Sequence, residues 1–93
     1  MMQIIKAITG GSEESGDVRV TGCPCEGENR VEIVRLPHPR FDAHVRELVQ
    51  SVLKEENVTG AEVKVQDFGA LDFVITARLR AAILASGEEQ SKC

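Results

Sequence analysis

The segment Gly11-Ser12-Glu13-Glu14-Ser15-Gly16-Asp17-Val18 holds the residue types best suited to chemistry. The Ser15 hydroxyl is a point where a group could be attached. Gly16 beside it removes a side chain where a second protein would have to approach, and it permits a positive φ. No base for nucleophilic activation stands beside Ser15. Glu13, Glu14 and Asp17 would repel an incoming phosphate, so a phosphodiester on Ser15 would need another enzyme to supply the catalysis. The same residues also make an ordinary solvated acidic hairpin loop, because Gly, Ser and acidic residues are common loop formers.

Other candidate groups are weaker. Cys23-Pro24-Cys25 could ligate a soft metal or exchange thiols, but a zinc site needs four ligands, typically in paired clusters. The chain has only three cysteines and two histidines, His38 and His44. The spacing is also not the Cys-x-x-Cys of redox motifs. His38 lies between prolines, His44 lies at the edge of an apolar stripe, and neither forms a triad with a neighbouring Ser or Cys. In Asp67-Phe68-Gly69-Ala70-Leu71-Asp72, Asp67 or Asp72 can serve a helix N-terminus, where unpaired N–H groups favour an anion. Arg78 and Arg80 fall on the helix that follows, as a solvated face or as a docking face.

These groups must be positioned by few elements. Met2 to Ile8 reads as a strand and Thr9 to Gly16 as a loop. Val18 and Val20 alternate with polar neighbours, so Asp17 to Thr21 is a strand. Gly22 to Asn29 is a turn region, and Arg30 to Leu36 is a β-branched strand ended by Pro37 and Pro39. Phe41, Val45, Leu48, Val49, Val52 and Leu53 form one stripe of helical period, which Asn57, Thr59 and Gly60 terminate. Ala61, Val63 and Val65 alternate with Glu62, Lys64 and Gln66, the clearest half-buried strand in the chain. A second helix is expected over 70–85, with Leu71, Val74, Ile75, Leu79, Ala82 and Ile83 as its stripe and Ser86-Gly87 as its end. The order β-β-β-α-β-α predicts an α+β fold, a small mainly antiparallel sheet with two amphipathic helices on one face. Residues 1–86 are expected to form one domain and 87–93 a disordered polar tail.

Size and charge narrow the function. A chain of 93 residues with 42% hydrophobic and 28% charged residues suits one globular domain with little room for a deep substrate pocket. That leans against a self-sufficient enzyme. A net charge of -4 with scattered basic residues does not suit nucleic acid. No apolar run approaches the roughly 20 residues that span a bilayer. Met1 to Ile8 has no long apolar run before a cleavage site, so the expected compartment is the cytoplasm, with Cys23, Cys25 and Cys93 as free thiols.

Two stretches carry a family resemblance. Glu14-Ser15-Gly16-Asp17-Val18 resembles the Glu-Ser-(Ser/Gly)-Asp-Val signature of citrate lyase acyl carrier (gamma) subunits, with Glu13 standing where the family has Leu. Gly69-Ala70-Leu71-Asp72, followed by Ala77-Arg78-Leu79, is similar to the family's Gly-Ala-Leu-Asp/Glu run and its Arg-Ala-Arg helix, with Thr76 at the first Arg. The resemblance covers roughly residues 3 to 86. Gln66-Asp67-Phe68-Gly69-Ala70 is also similar to the acyl carrier subunit of malonate decarboxylase, which uses a related arm.

The resemblance implies a non-catalytic carrier of acetyl and citryl thioesters. Its arm would be phosphoribosyl-dephospho-coenzyme A (phosphoribosyl-dephospho-CoA), joined covalently to Ser15, with Gly16 and Asp17 flanking in the loop. It also implies three partners: a prosthetic-group transferase, an alpha subunit that exchanges acyl groups and a beta subunit that acts as the lyase. A different class remains open, an unmodified interaction or regulatory domain.

Overall fold

The alternation that buries Ala61, Val63, Val65 and Asp67 makes one strand the centre of the molecule. The computed structural model describes residues 2–3 and 8–89. Its elements are β1 (Met2–Gln3), β2 (Ile8–Gly11), β3 (Val18–Pro24), β4 (Arg30–Arg35), α1 (Asp42–Glu55), β5 (Val58–Thr59), β6 (Ala61–Asp67) and α2 (Asp72–Glu89). A turn of 3-10 helix, Pro39–Phe41, leads into α1. The main sheet has the order β2-β3-β6-β4. Strands β2 and β3 pair antiparallel, as do β3 and β6, while β4 joins β6 in parallel. The sheet is therefore mixed. The chain reaches the parallel pairing by crossing over through α1, as parallel neighbours require.

Both helices cover one face. Val18, Val20, Val31, Val63 and Val65 point into that face and meet Val45, Val49, Val52 and Leu53 of α1 and Ile75, Leu79, Ala82 and Ile83 of α2. The opposite face carries Arg19, Thr21, Glu32 and Lys64 toward solvent. There Lys64 approaches Glu32 at 3.9 Å and Arg30 approaches Glu62 at 3.7 Å, exposed pairs worth about 0–1 kcal/mol each. Since the helices are on one side only, register is strongly specified: a one-residue slip would turn this valine set outward.

The structure departs from the sequence pattern in six places, beginning with β3, which continues through Gly22 and Cys23 to Pro24 where a turn was expected. The first strand is divided: β1 pairs in parallel with β5, β2 pairs with β3, and residues 4–7 lie outside the described residues. Thr9, Gly10 and Gly11 are strand rather than loop, because Gly10 lets α2 lie close. A methyl group at Gly10 would stand 2.9 Å from the Arg78 carbonyl oxygen and 3.2 Å from the Ala82 methyl. Val58 and Thr59, expected in a helix-ending turn, are β5. Asn29 holds this region, donating to the Val58 carbonyl at 2.8 Å and accepting from the Ala61 N–H at 3.0 Å. Leu71, expected in the core stripe, precedes the helix and is 64% exposed. Finally, α2 runs through Ser86 and Gly87 to Glu89. One glycine near a helix end costs about 1 kcal/mol, and no proline follows to break the ladder. Residues 90–93, Cys93 among them, lie outside the described residues.

Candidate functional site

Strands β2 and β3 are joined by the Ser12–Asp17 loop, and Ser15 is at its exposed tip. The loop is tied down from both sides. Within the hairpin, the Ser12 N–H donates to the Val18 carbonyl at 3.1 Å and the Asp17 N–H to the Glu14 carbonyl at 3.0 Å. Across to the β6–α2 connection, the Gly16 N–H donates to the Phe68 carbonyl at 2.7 Å and the Phe68 N–H to the Asp17 carbonyl at 3.0 Å. The residue carrying the hydroxyl is thus followed directly by a bridge to a second element.

Asp17 is the anchor. Its Oδ2 accepts from the Ser12 hydroxyl at 2.6 Å and its Oδ1 from the Val18 N–H at 2.8 Å. Arg78 of α2 then donates to both oxygens, Nε to Oδ1 at 3.1 Å and Nη2 to Oδ2 at 3.0 Å, the bidentate geometry in which guanidinium and carboxylate planes match. The Asp17 side chain is 13% exposed. The Ser12 hydroxyl bond, the Val18 N–H and the Arg78 charge together hold its carboxyl down at about 2, against an ordinary 3.8.

The Asp17 carboxylate is occupied on both oxygens, and the Ser15 hydroxyl makes no hydrogen bond to the described residues. Glu13 leans away to Arg19 at 3.1 Å. The hydroxyl is presented, not activated. Gly16 has φ +85° and faces open space, with nothing within 4 Å of where a methyl group would be. Room for an approaching protein is therefore real on that side.

The other candidates are dispersed. Cys23 and Cys25 are free thiols; the Cys25 N–H donates to the Gly60 carbonyl at 2.8 Å, and Cys23 lies opposite Glu62 on the outer face. His38 caps the 3-10 turn, its Nδ1 accepting from the Arg40 N–H at 3.1 Å. His44 Nε2 reaches Asp72 Oδ2 at 2.7 Å and links α1 to α2. Asp67 serves the turn into α2, its Oδ1 accepting from the Gly69 and Ala70 N–H groups at 2.9 Å each. Arg80 pairs with Glu55 at 2.5 Å. Of the two arginines only Arg78 joins the site. Phe68 and Arg78 were both named from the sequence, as part of a helix start and as a solvated or docking face; what the sequence pattern missed is their contact with the Ser15 loop, since Arg78 lies 61 residues from Asp17.

Comparison with known proteins converges on carriers. The family model described as the malonate decarboxylase delta subunit (MdcD), an acyl carrier protein, matches residues 5–86. The citrate lyase acyl carrier protein of Enterobacter sp. (strain 638) is 36% identical over 89 residues, covering 96% of this chain and 92% of that one. The citrate lyase acyl carrier protein of Cronobacter sakazakii is 37% identical over 89 residues with the same coverage. Among solved structures, a chain of a Pseudomonas malonate decarboxylase hetero-tetramer, in complex with malonate, superposes with a TM-score of 0.70. That match has 19% identity and covers 88% of this chain and 84% of the other, a likeness of fold. Residues 5–86 and the identity across nearly the whole length make this chain a member of the acyl carrier protein family of citrate lyase and malonate decarboxylase.

Proposed function

We propose that this chain is the acyl carrier subunit of a citrate lyase-like complex, bearing a phosphoribosyl-dephospho-CoA arm on Ser15 through a phosphodiester. The observation that carries this reading is the exposed Ser15 hydroxyl at the tip of a loop braced on both flanks, with open space beside Gly16. These residues fit such an arm: a free hydroxyl to attach it, and clearance for the enzyme that attaches it. When bound, the arm supplies a terminal thiol for acyl transfer.

The chain's own residues do three things. Asp17, Arg78 and Phe68 hold the loop so that Ser15 projects away from the body. Gly16 keeps the approach clear. The loop withholds a base, so a prosthetic-group transferase must take the Ser15 proton. Residues 1–86 form the carrier body in this reading, and the chain makes and breaks no substrate bonds itself. A tethered arm turns delivery between an alpha acyltransferase subunit and a beta lyase subunit into an intramolecular event at raised effective concentration. Among the described residues no helix is long and apolar enough to cross a membrane; the complex in this reading is cytoplasmic.

A second reading keeps the carrier role and changes the complex to malonate decarboxylase. The description of the matching family supports it. Identity to citrate lyase carriers over 96% of the chain supports the first reading more strongly.

Intact-mass measurement after co-expression with the transferase and the precursor-forming enzyme tests the proposal. The expected result is a mass gain equal to the arm in the native chain and none in Ser15→Ala. An unmodified native chain, under conditions that modify a known carrier, would remove the assignment of Ser15.

A further inference from the structure

A second feature adjoins the Ser15 loop. Between α1 and the β6–α2 connection runs a groove of about 530 Å³, within the volume range usual for small-molecule sites. Its walls are Phe41, Val45, Ala70, Leu71 and Ile75, with Asp67 at its inner end. Gly69 is its rim on the loop side: a methyl group there would stand 3.8 Å from the Gly16 nitrogen. The groove therefore opens next to the attachment loop.

Asp67 gives the groove a specific polarity. It is 4% exposed, and its Oδ1 serves the Gly69 and Ala70 N–H groups. Its Oδ2 accepts no hydrogen bond among the described residues, so this carboxylate oxygen is an available acceptor on the groove lining. A ligand N–H or O–H would find an acceptor there. Asp72 also lines the groove, paired with His44 at 2.7 Å. Carboxylates at the inner end and at the wall repel phosphate. They suit a neutral, mostly apolar chain that carries amide N–H groups.

We propose that this groove is the resting site of the amide-bearing stem of the Ser15 arm, with the arm's phosphates left outside at the loop. This rests on the carrier reading above. The stem of a coenzyme A-type arm has the required chemistry: methyl and methylene groups interrupted by amides. The groove shelters the stem between deliveries, and Leu71, exposed on the wall, is its outer flap. Because the arm is tethered on the loop that adjoins the rim, even a weak intrinsic affinity fills the groove.

Amide NMR spectra of isotopically labelled protein, recorded before and after arm loading and paired with intact mass, test the idea. Loading is expected to shift the amide signals of Val45, Leu71 and Ile75 as well as those of the loop. Leu71→Glu changes an exposed position, so it should fold and still gain the full mass, yet lose the shifts at Val45 and Ile75. A full mass gain with shifts confined to residues 12–17 and 68–69 would overturn the resting site and leave the carrier reading standing. Groove signals that move only when the alpha subunit is added would assign the groove to that partner and overturn the proposal. Absence of any mass gain would remove both readings together.

Discussion

Asp17 has four donors on one carboxylate, and that fixes how the loop should respond to substitution and to pH. Its pKa of about 2 lies below the ordinary 3.8, so the charged form is the one that folding favours. The stability it contributes is fully present above about pH 4 and is lost as the pH falls from there through about 2. Unfolding measured in steps of pH should show this acid-side slope, and Asp17→Asn should flatten it. The two loop glycines should separate by cause. Gly16→Ala meets no atom within 4 Å and should cost only its positive φ, about 1–2 kcal/mol by denaturant titration. Gly11→Ala should cost more, since its methyl group would come within 1.7 Å of the Val18 carbonyl oxygen. At this scale the loop that places Ser15, Gly16 and Asp17 together was legible in the sequence because they are adjacent. The pairing of Arg78 with Asp17 was not: a side chain on a helix face says nothing of a partner 61 residues away.

Among the elements, periodicity told most of the story. The α1 stripe of Val45, Val49, Val52 and Leu53 is buried as its spacing requires, and the alternation of β6 is buried on the expected side. Leu79 is fully enclosed between α2 and the sheet, so Leu79→Ala should lower stability by about 2–5 kcal/mol in denaturant titration. Leu84, exposed on the same helix, should tolerate alanine nearly unchanged. What the pattern could not supply was pairing. Thr9-Gly10-Gly11 has loop composition, and only the close packing of α2 on Gly10 makes it a strand. The parallel β4–β6 pair and the short β1–β5 pair depend on partners distant in sequence, which local propensity does not encode.

The whole molecule presents an acidic loop on a chain of net charge -4. Partners with basic rims would be steered toward the Ser15 tip, an attraction screened beyond about 8 Å at physiological salt. Association rates with the proposed partner subunits should fall as salt rises, and replacing Glu13 and Glu14 by Gln should flatten that dependence. An unchanged salt slope would remove the steering role.

The bracing of the Ser15 loop also has a consequence for biosynthesis. Phe68 and Arg78, which hold the loop, are translated about fifty to sixty residues after it. Its sheet partner β6 is equally late, so little of this architecture can form on a half-made chain. A nascent polypeptide ending before Phe68 would contain the complete Glu-Ser-Gly-Asp sequence without its latch. An enzyme that reads the braced loop would therefore pass over such chains and act only once β6 and α2 have joined the loop.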